Sequence, residues 1–405
     1  MANLPEDFIR ETRLVMGEER LNRFLGAFDD EAPVSIRINP RKAASARVSG
    51  ERVAWCEEGY YLEGRPQFTF DPLFHAGCYY VQEAASMFVT HVLRQFVKAP
   101  VAMLDLCAAP GGKSTAAISV LPAGSTLVSN EPIANRAQIL LENITKWGYP
   151  KCSVTNAYPR DFRKAKASFD VILCDVPCSG EGMFRKDPAT ISEWSLQNVE
   201  KCWRLQREIV ADAWECLTPG GLLIYSTCTF NTKENEENVR WMMDTYDAEV
   251  LEIPVKPEWN ITGSLLEGFD SPVYRFIPGI TRGEGLFVCA LRKRGEKKKG
   301  KKEIILAKGI KALTPYSSTP YFSTPYSSSP QVDISYVDAL NYLRGEALVL
   351  PANTPRGIVN ITYKGHILGP AKNIGTRANN LYPKAWRIKT THLPSEAPRI
   401  VNCEL

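Results

Sequence analysis

The sequence predicts an α/β, doubly wound protein, and three observations carry that expectation. Residues 101–115, VAMLDLCAAPGGKST, run from an apolar strand through Pro110-Gly111-Gly112 into a helix start. The stretches FDVILCD (169–175) and LLIYSTC (222–228) are predominantly apolar runs, as in parallel strands buried on both faces. Segments with apolar residues at helical spacing separate these runs, which gives the alternation of a doubly wound sheet.

The glycine turn is where a ligand is expected. Glycine lets the backbone come close to a bound group, and the free N–H groups at a helix start favour polar or anionic atoms. Gly112-Lys113-Ser114 resembles the end of a phosphate-binding loop, but that motif needs a glycine at 107, where the chain has Cys107. A Rossmann-like nucleoside site asks instead for an acid about 20 residues on, at the end of the next strand, to bond ribose hydroxyls. The stretch TLVSNE (126–131) supplies Glu131.

A chain of 405 residues exceeds the size at which one core keeps growing, so two or three domains are expected. The hydrophobic share of 44%, charged share of 23% and net charge of +4 fit a soluble globular protein and leave nucleic-acid binding to local basic clusters. The acidic start MANLPEDFIRE is unlike a secretory signal, and no uncharged apolar span is long enough to predict a membrane helix. Eleven cysteines, with no Cys-x-x-Cys pair, predict free thiols in a reducing, cytoplasmic setting. Four dispersed histidines predict no metal site.

In chain order, 5–25 has helical spacing and 32–40 (APVSIRINP) alternates like a strand, which suggests a small α+β unit. Arg37, Arg41, Lys42, Arg47 and Arg52 give it a basic edge, readable as a phosphate-facing or merely solvated face. Residues 71–90 run through a turn into a helix. Helices are expected over 132–148, started at Pro132 and ended by Gly148, and 196–217, stopped by Pro219-Gly220-Gly221, with strands at 151–156 and 286–291. Asn231 with Glu234 reads as a helix N-cap pattern. The basic run KKKGKK and three Thr-Pro-Tyr repeats mark 295–330 as a low-complexity linker. Beyond 331, Lys364, Lys372, Arg377, Lys384, Arg387 and Lys389 alternate with Tyr363, Tyr382 and Trp386, a composition suited to RNA.

Ligands in such sheets bind beyond the carboxyl ends of the strands. Two strand ends there carry thiols, Asp175-Val-Pro-Cys178-Ser-Gly180 and Ser226-Thr-Cys228-Thr. A cysteine so placed is either a buried inert thiol or a nucleophile activated by nearby positive charge.

The motifs DLCAAPGGK, DVPCSGEGMFRKDP and STCTFNTKENEENV resemble those of the Nop2/Sun family of RNA cytosine-5 methyltransferases, and the arrangement is similar to its bacterial 16S ribosomal RNA enzymes. The resemblance covers nearly the whole chain: HAGCYYVQEAASM matches the family's junction into the catalytic domain, and GTRANNLYPKAWRIK its C-terminal RNA-binding domain. It implies a Rossmann-like S-adenosylmethionine-dependent methyltransferase core at 96–294, after a small α+β N-terminal RNA-binding domain at 1–95. A PUA-like RNA-binding domain at 331–405 follows the linker.

The family adds a thiolate to carbon 6 of cytosine so that carbon 5 can accept a methyl group. By motif, Cys228 is the nucleophile and Cys178 assists release. Asp175 bonds the cytosine edge, with Lys113 beside it. Cys107, Ala108, Ala109, Pro110, Gly111, Gly112, Lys113 and Asp175 hold the cofactor, and Glu131 bonds its ribose. The chain departs from the family near the adenine: in Asn156-Ala157-Tyr158-Pro159-Arg160-Asp161, Tyr158 stands where an aspartate is expected, leaving Tyr158 or Asp161 as the adenine contact. The implied partner of this expected monomer is RNA, either 16S ribosomal RNA or the small subunit. The alternatives are transfer RNA as substrate, or a non-catalytic RNA-binding assembly factor. A DNA cytosine methyltransferase would place its nucleophile at the Pro-Cys position instead.

Overall fold

The computed structural model describes residues 4–295, 310–313, 329–390 and 392–402. Helix α1 (Glu6–Gly26) is broken at Gly17, whose φ of 71° lies in the left-handed region that glycine tolerates. Its buried Phe8, Met16, Leu21 and Phe24 pack on Phe184, Trp194 and Phe230, so α1 supports the loops that carry the two strand-end cysteines. Strands β1 (Val34–Ile38), β2 (Arg47–Val48), β3 (Gly59–Leu62) and β4 (Tyr79–Val81) follow. A three-stranded antiparallel sheet has the order β3-β1-β4. Residues 71–90 therefore hold more than a turn and a helix: β4 separates α2 (Pro72–His75) from α3 (Phe88–Phe96) and edges β1.

The central domain opens with β5 (Ala102–Asp105), α4 (Gly112–Val120), β6 (Thr126–Asn130), α5 (Ala134–Trp147) and β7 (Cys152–Thr155). Then come α6 (Pro159–Lys164), β8 (Phe169–Asp175), α7 (Ala189–Glu193), α8 (Leu196–Cys216) and β9 (Leu217–Thr227). Helix α9 (Glu236–Thr245), β10 (Ala248–Leu251), β11 (Tyr274–Phe276), β12 (Leu286–Lys293) and β13 (Ala312–Leu313) complete it. The sheet order is β10-β12-β9-β8-β5-β6-β7-β13, with β11 on β12. Strands β9, β8, β5, β6 and β7 are parallel, and antiparallel strands flank them on both sides. Strand β13 lies inside the stretch read as linker, whereas KKKGKK and the Thr-Pro-Tyr repeats lie outside the described residues.

Pleating sorts the apolar runs onto two faces. Met103, Leu127, Val171, Leu173 and Ile224 meet α3 and α4, while Leu104, Val128, Ile172, Leu223 and Tyr225 meet α8 and α9. Each such aliphatic side chain, buried from both directions, contributes about 1.5–3 kcal/mol. Because β6 leaves β5 on one side and β8 on the other, a crevice opens at their carboxyl ends, the place where ligands bind in these sheets.

The last domain holds β14 (Gln331–Asp333), α10 (Tyr336–Arg344), β15 (Gly357–Tyr363), β16 (His366–Asn373), β17 (Ala378–Asn380) and β18 (Val401–Asn402). Leu340 and Leu343 share an apolar core with Ile36, Ile38 and Leu73, and β18 pairs with β2. Tyr363, Tyr382 and Trp386, the aromatics of the composition read as suited to RNA, are core residues 7%, 2% and 8% exposed, so they offer no stacking face. The lysines among them, together with Arg377, do reach solvent.

Candidate active site

The cavity over the glycine turn has a volume of about 180 Å³. Cys107, Ala108, Ala109, Pro110, Gly112, Lys113 and Asp175 line it, together with Asp105 and, from the N-terminal domain, Tyr80, Gln82 and Ser86. Gly111 does not line it. Its φ of 114° turns the chain into α4, and a Cβ there would press on Leu140 at 3.2 Å. A second strut comes from Arg37, fully buried, which donates to Gln82 Oε1 (2.7 Å) and Thr115 Oγ1 (2.6 Å) and lies 4.5 Å over the Trp147 ring. Arg37 is therefore internal, and so is Lys42, which donates to the Ala76 and Lys146 carbonyls and which burial lowers to about 8. Two members of the expected basic edge thus fix the glycine turn and α5.

Asp175 ends β8 between two donors, Lys113 Nζ at 2.8 Å and Ser226 Oγ at 2.7 Å. Burial opposes the charge on Lys113, but Asp175, with Cys228 adding to it, outweighs burial and holds the ammonium above its usual range. Cys228 follows the last residue of β9, and its Sγ lies 3.3 Å from Cys178 Sγ. The contact to Cys228 and then burial push the Cys178 thiol well up, and the Cys228 N–H donates to Cys178 Sγ at 3.4 Å.

Asp105 was not among the residues singled out in the sequence. It is fully buried, Ser114 Oγ donates to its Oδ2 at 2.6 Å, and its Oδ1 has no partner. Burial raises its carboxyl to about 7, with Asp175 and Glu131 adding to the effect. Glu131 lies at the end of β6 but outside the cavity wall: Oε1 accepts from Ile133 N at 3.0 Å, and Arg136 lies 3.5 Å from Oε2 while donating to Ala109 O. Tyr158 is 56% exposed with Arg160 5.0 Å from its ring. Asp161 accepts from Tyr158 N at 2.9 Å, which commits it to starting α6. The expected Asn231–Glu234 cap closes a turn ahead of α9, which starts only at Glu236.

The pattern of the family described as 16S rRNA methyltransferase RsmB/F matches residues 97–292, the N-terminal domain of 16S rRNA methyltransferase RsmF matches 4–84, and the methyltransferase RsmF PUA domain matches 329–388. The chain belongs to the RsmB/F family. Ribosomal RNA small subunit methyltransferase F of Pectobacterium atrosepticum is 34% identical over 314 residues, which cover 73% of this chain and 63% of that protein. The Serratia proteamaculans protein of the same name is 34% identical over 306 residues, covering 72% and 63%. The chain thus spans less than two thirds of the length of these relatives. The crystal structure of NSun6 from Pyrococcus horikoshii with SFG superposes with a TM-score of 0.61 at 20% identity, covering 73% of this chain and all of that one. The fold is a Rossmann-like methyltransferase core with an RsmF-type N-terminal domain and a PUA domain. Among the described residues, no helix is long and apolar enough to cross a membrane.

Proposed function

We propose that the protein is an S-adenosylmethionine-dependent RNA cytosine-5 methyltransferase acting on 16S ribosomal RNA through a covalent cysteine adduct. One observation carries the reading: Cys228 and Cys178 stand sulfur to sulfur at 3.3 Å, beside an Asp175 carboxylate oriented by Lys113 and Ser226 on the wall of the glycine-turn cavity. Relatives named for small-subunit ribosomal RNA support the substrate class.

The residues present fit the cofactor. Asp105 Oδ1 is a buried acceptor without a partner on the cavity wall, suited to an ammonium donor. Residues Cys107 to Lys113 would hold the amino-acid part, Glu131 the ribose, and Tyr158 would lie on the adenine side. When bound, S-adenosylmethionine supplies the methyl group. Everything else is work for the chain. Cys228 Sγ bonds to cytosine carbon 6, which places an electron pair at carbon 5. Asp175 hydrogen-bonds the amine and N3 edge of the base and holds the adduct in the plane of attack. After carbon 5 is substituted, a base such as water takes its proton, the C–H pair re-forms the carbon 5–carbon 6 double bond, and sulfur leaves carbon 6 with its bonding pair as the Cys228 thiolate. Cys178 assists this release.

Bisulfite sequencing of ribosomal and transfer RNA from cells with and without the gene tests the proposal. A 16S cytosine should lose its protection when the gene is removed. Loss confined to transfer RNA would overturn the substrate, and no loss anywhere would overturn the activity.

A further inference from the structure

Behind the two thiols lie two buried glutamates that the chemistry above does not use. Glu181 follows Cys178 in the loop after β8, yet its carboxylate reaches the other loop. Its Oε2 accepts from the backbone N–H of Phe230 (2.6 Å) and Asn231 (3.0 Å), and its Oε1 from Asn231 Nδ2 (3.0 Å) and Trp194 Nε1 (3.0 Å). Glu234 follows Cys228 and reaches back. Its Oε2 accepts from Ser179 N (3.0 Å) and Gln206 Nε2 (2.6 Å), and its Oε1 from Asn231 Nδ2 (2.8 Å). They are 3% and 0% exposed. Every one of these contacts is a donor, so each site calls for a carboxylate; an amide would turn its NH2 against another donor. Burial, with Glu181 adding to it, raises Glu234 to about 7.

The crossing is uneven, for Glu181 touches the Cys178 side only through a long 3.4 Å contact from Ser179 Oγ. Both residues flanking Cys178 depend on Glu234: Ser179 N donates to it directly, and the Pro177 carbonyl accepts from Gln206 Nε2, which also donates to Glu234. Cys228 sits at the end of β9, and the backbone N–H groups of Phe230 and Asn231 after it donate to Glu181, while the Asn231 side chain is shared by both acids. We propose that the two glutamates are positioning residues acting across the loops, Glu234 setting Cys178 for release of methylated RNA and Glu181 setting Cys228 for attack. This assignment rests on the covalent reading above and adds separate handles on its two halves.

The test is a denaturing gel of the full chain after incubation with 16S ribosomal RNA and methyl-labelled S-adenosylmethionine, run beside Cys178→Ala. Loss of a charge-assisted hydrogen bond at Glu234→Gln should slow release about tenfold. That variant should therefore collect a labelled, nuclease-sensitive protein–RNA band, as Cys178→Ala does. Glu181→Gln should slow methylation and show less of that band. Gln206→Leu, which leaves both acids in place, should follow Glu234→Gln. Melting curves and affinity for S-adenosylhomocysteine report folding.

If both glutamate variants lose methylation and band together, in proportion to lost folded protein, their role is structural and the proposal fails. If Cys178→Ala collects the band and Glu234→Gln does not, the proposal fails while the covalent reading stands. If Cys178→Ala gives no band although the wild type methylates, the covalent reading fails and takes the proposal with it.

Discussion

Replacing Arg37 with methionine should loosen the cofactor turn from a distance, and the expected size follows from its contacts. The guanidinium is fully buried, with no carboxylate among the partners described for it. Burial lowers it to about 10, still well above neutral pH, so it remains charged in the folded protein. Two of its bonds are short, to Gln82 Oε1 at 2.7 Å and Thr115 Oγ1 at 2.6 Å, whereas those to the Thr115 and Gly112 carbonyls are 3.4 Å and weak. Charge-assisted bonds contribute about 1.5–3 kcal/mol each, and methionine relieves the desolvation of the charge, so a net loss of about 3 kcal/mol is expected. Gln82 and Gly112 line the cavity, so affinity for S-adenosylmethionine should fall as well. Urea unfolding and calorimetric titration measure the two effects. A change below about 1 kcal/mol with unaltered affinity would refute the view that Arg37 braces α4 against the N-terminal sheet.

Arg275 and Glu236 form a buried ion pair, 1% and 0% exposed, and Arg275 also donates to the Phe230 carbonyl. Arg275→Met strands a carboxylate and should cost about 3–5 kcal/mol by urea unfolding, with Arg275→Met/Glu236→Leu recovering most of it. Asp105 is raised from 3.8 to about 7, so the stability it contributes is full below its unfolded value and declines as pH rises through about 7. The melting temperature of Asp105→Asn should therefore fall less than that of the wild type over this range, and equal slopes would contradict the assigned burial effect. Changing exposed Lys364, Lys372, Arg377 and Lys384 to glutamine should weaken RNA binding and lower its salt slope by roughly 0.7 per lost phosphate contact, whereas an unchanged slope would place RNA elsewhere.

Features set by local chemistry were readable from the sequence. The glycine turn needs its glycines at the left-handed Gly111, and the runs FDVILCD and LLIYSTC carry the apolar density of strands covered on both sides, so β5, β8 and β9 and the thiols at their ends followed. Features set by packing were not. Nothing in a basic residue's own neighbourhood tells that Arg37 is buried against a tryptophan and Lys42 half-buried on carbonyls while Lys364 is solvated. The basic–aromatic composition of the PUA domain read as suited to RNA because aromatics interleaved with lysine look alike whether they face RNA or a core. Strand β13 is too short to leave a periodic signal, and only its pairing with β7 defines it. The glutamate clamp escaped notice because its acids sit one loop away from the cysteine each one holds.

The central claim is that Cys228 attacks and Cys178 releases, and one gel decides it. Each alanine variant is incubated with 16S ribosomal RNA and methyl-labelled S-adenosylmethionine, then denatured and separated. Cys178→Ala should show a labelled, nuclease-sensitive protein–RNA band because the nucleophile is intact and elimination is impaired, while Cys228→Ala should show neither band nor methylation. A band with Cys228→Ala and none with Cys178→Ala would exchange the roles, and no band with either, on RNA that the wild type methylates, would contradict covalent catalysis by this pair.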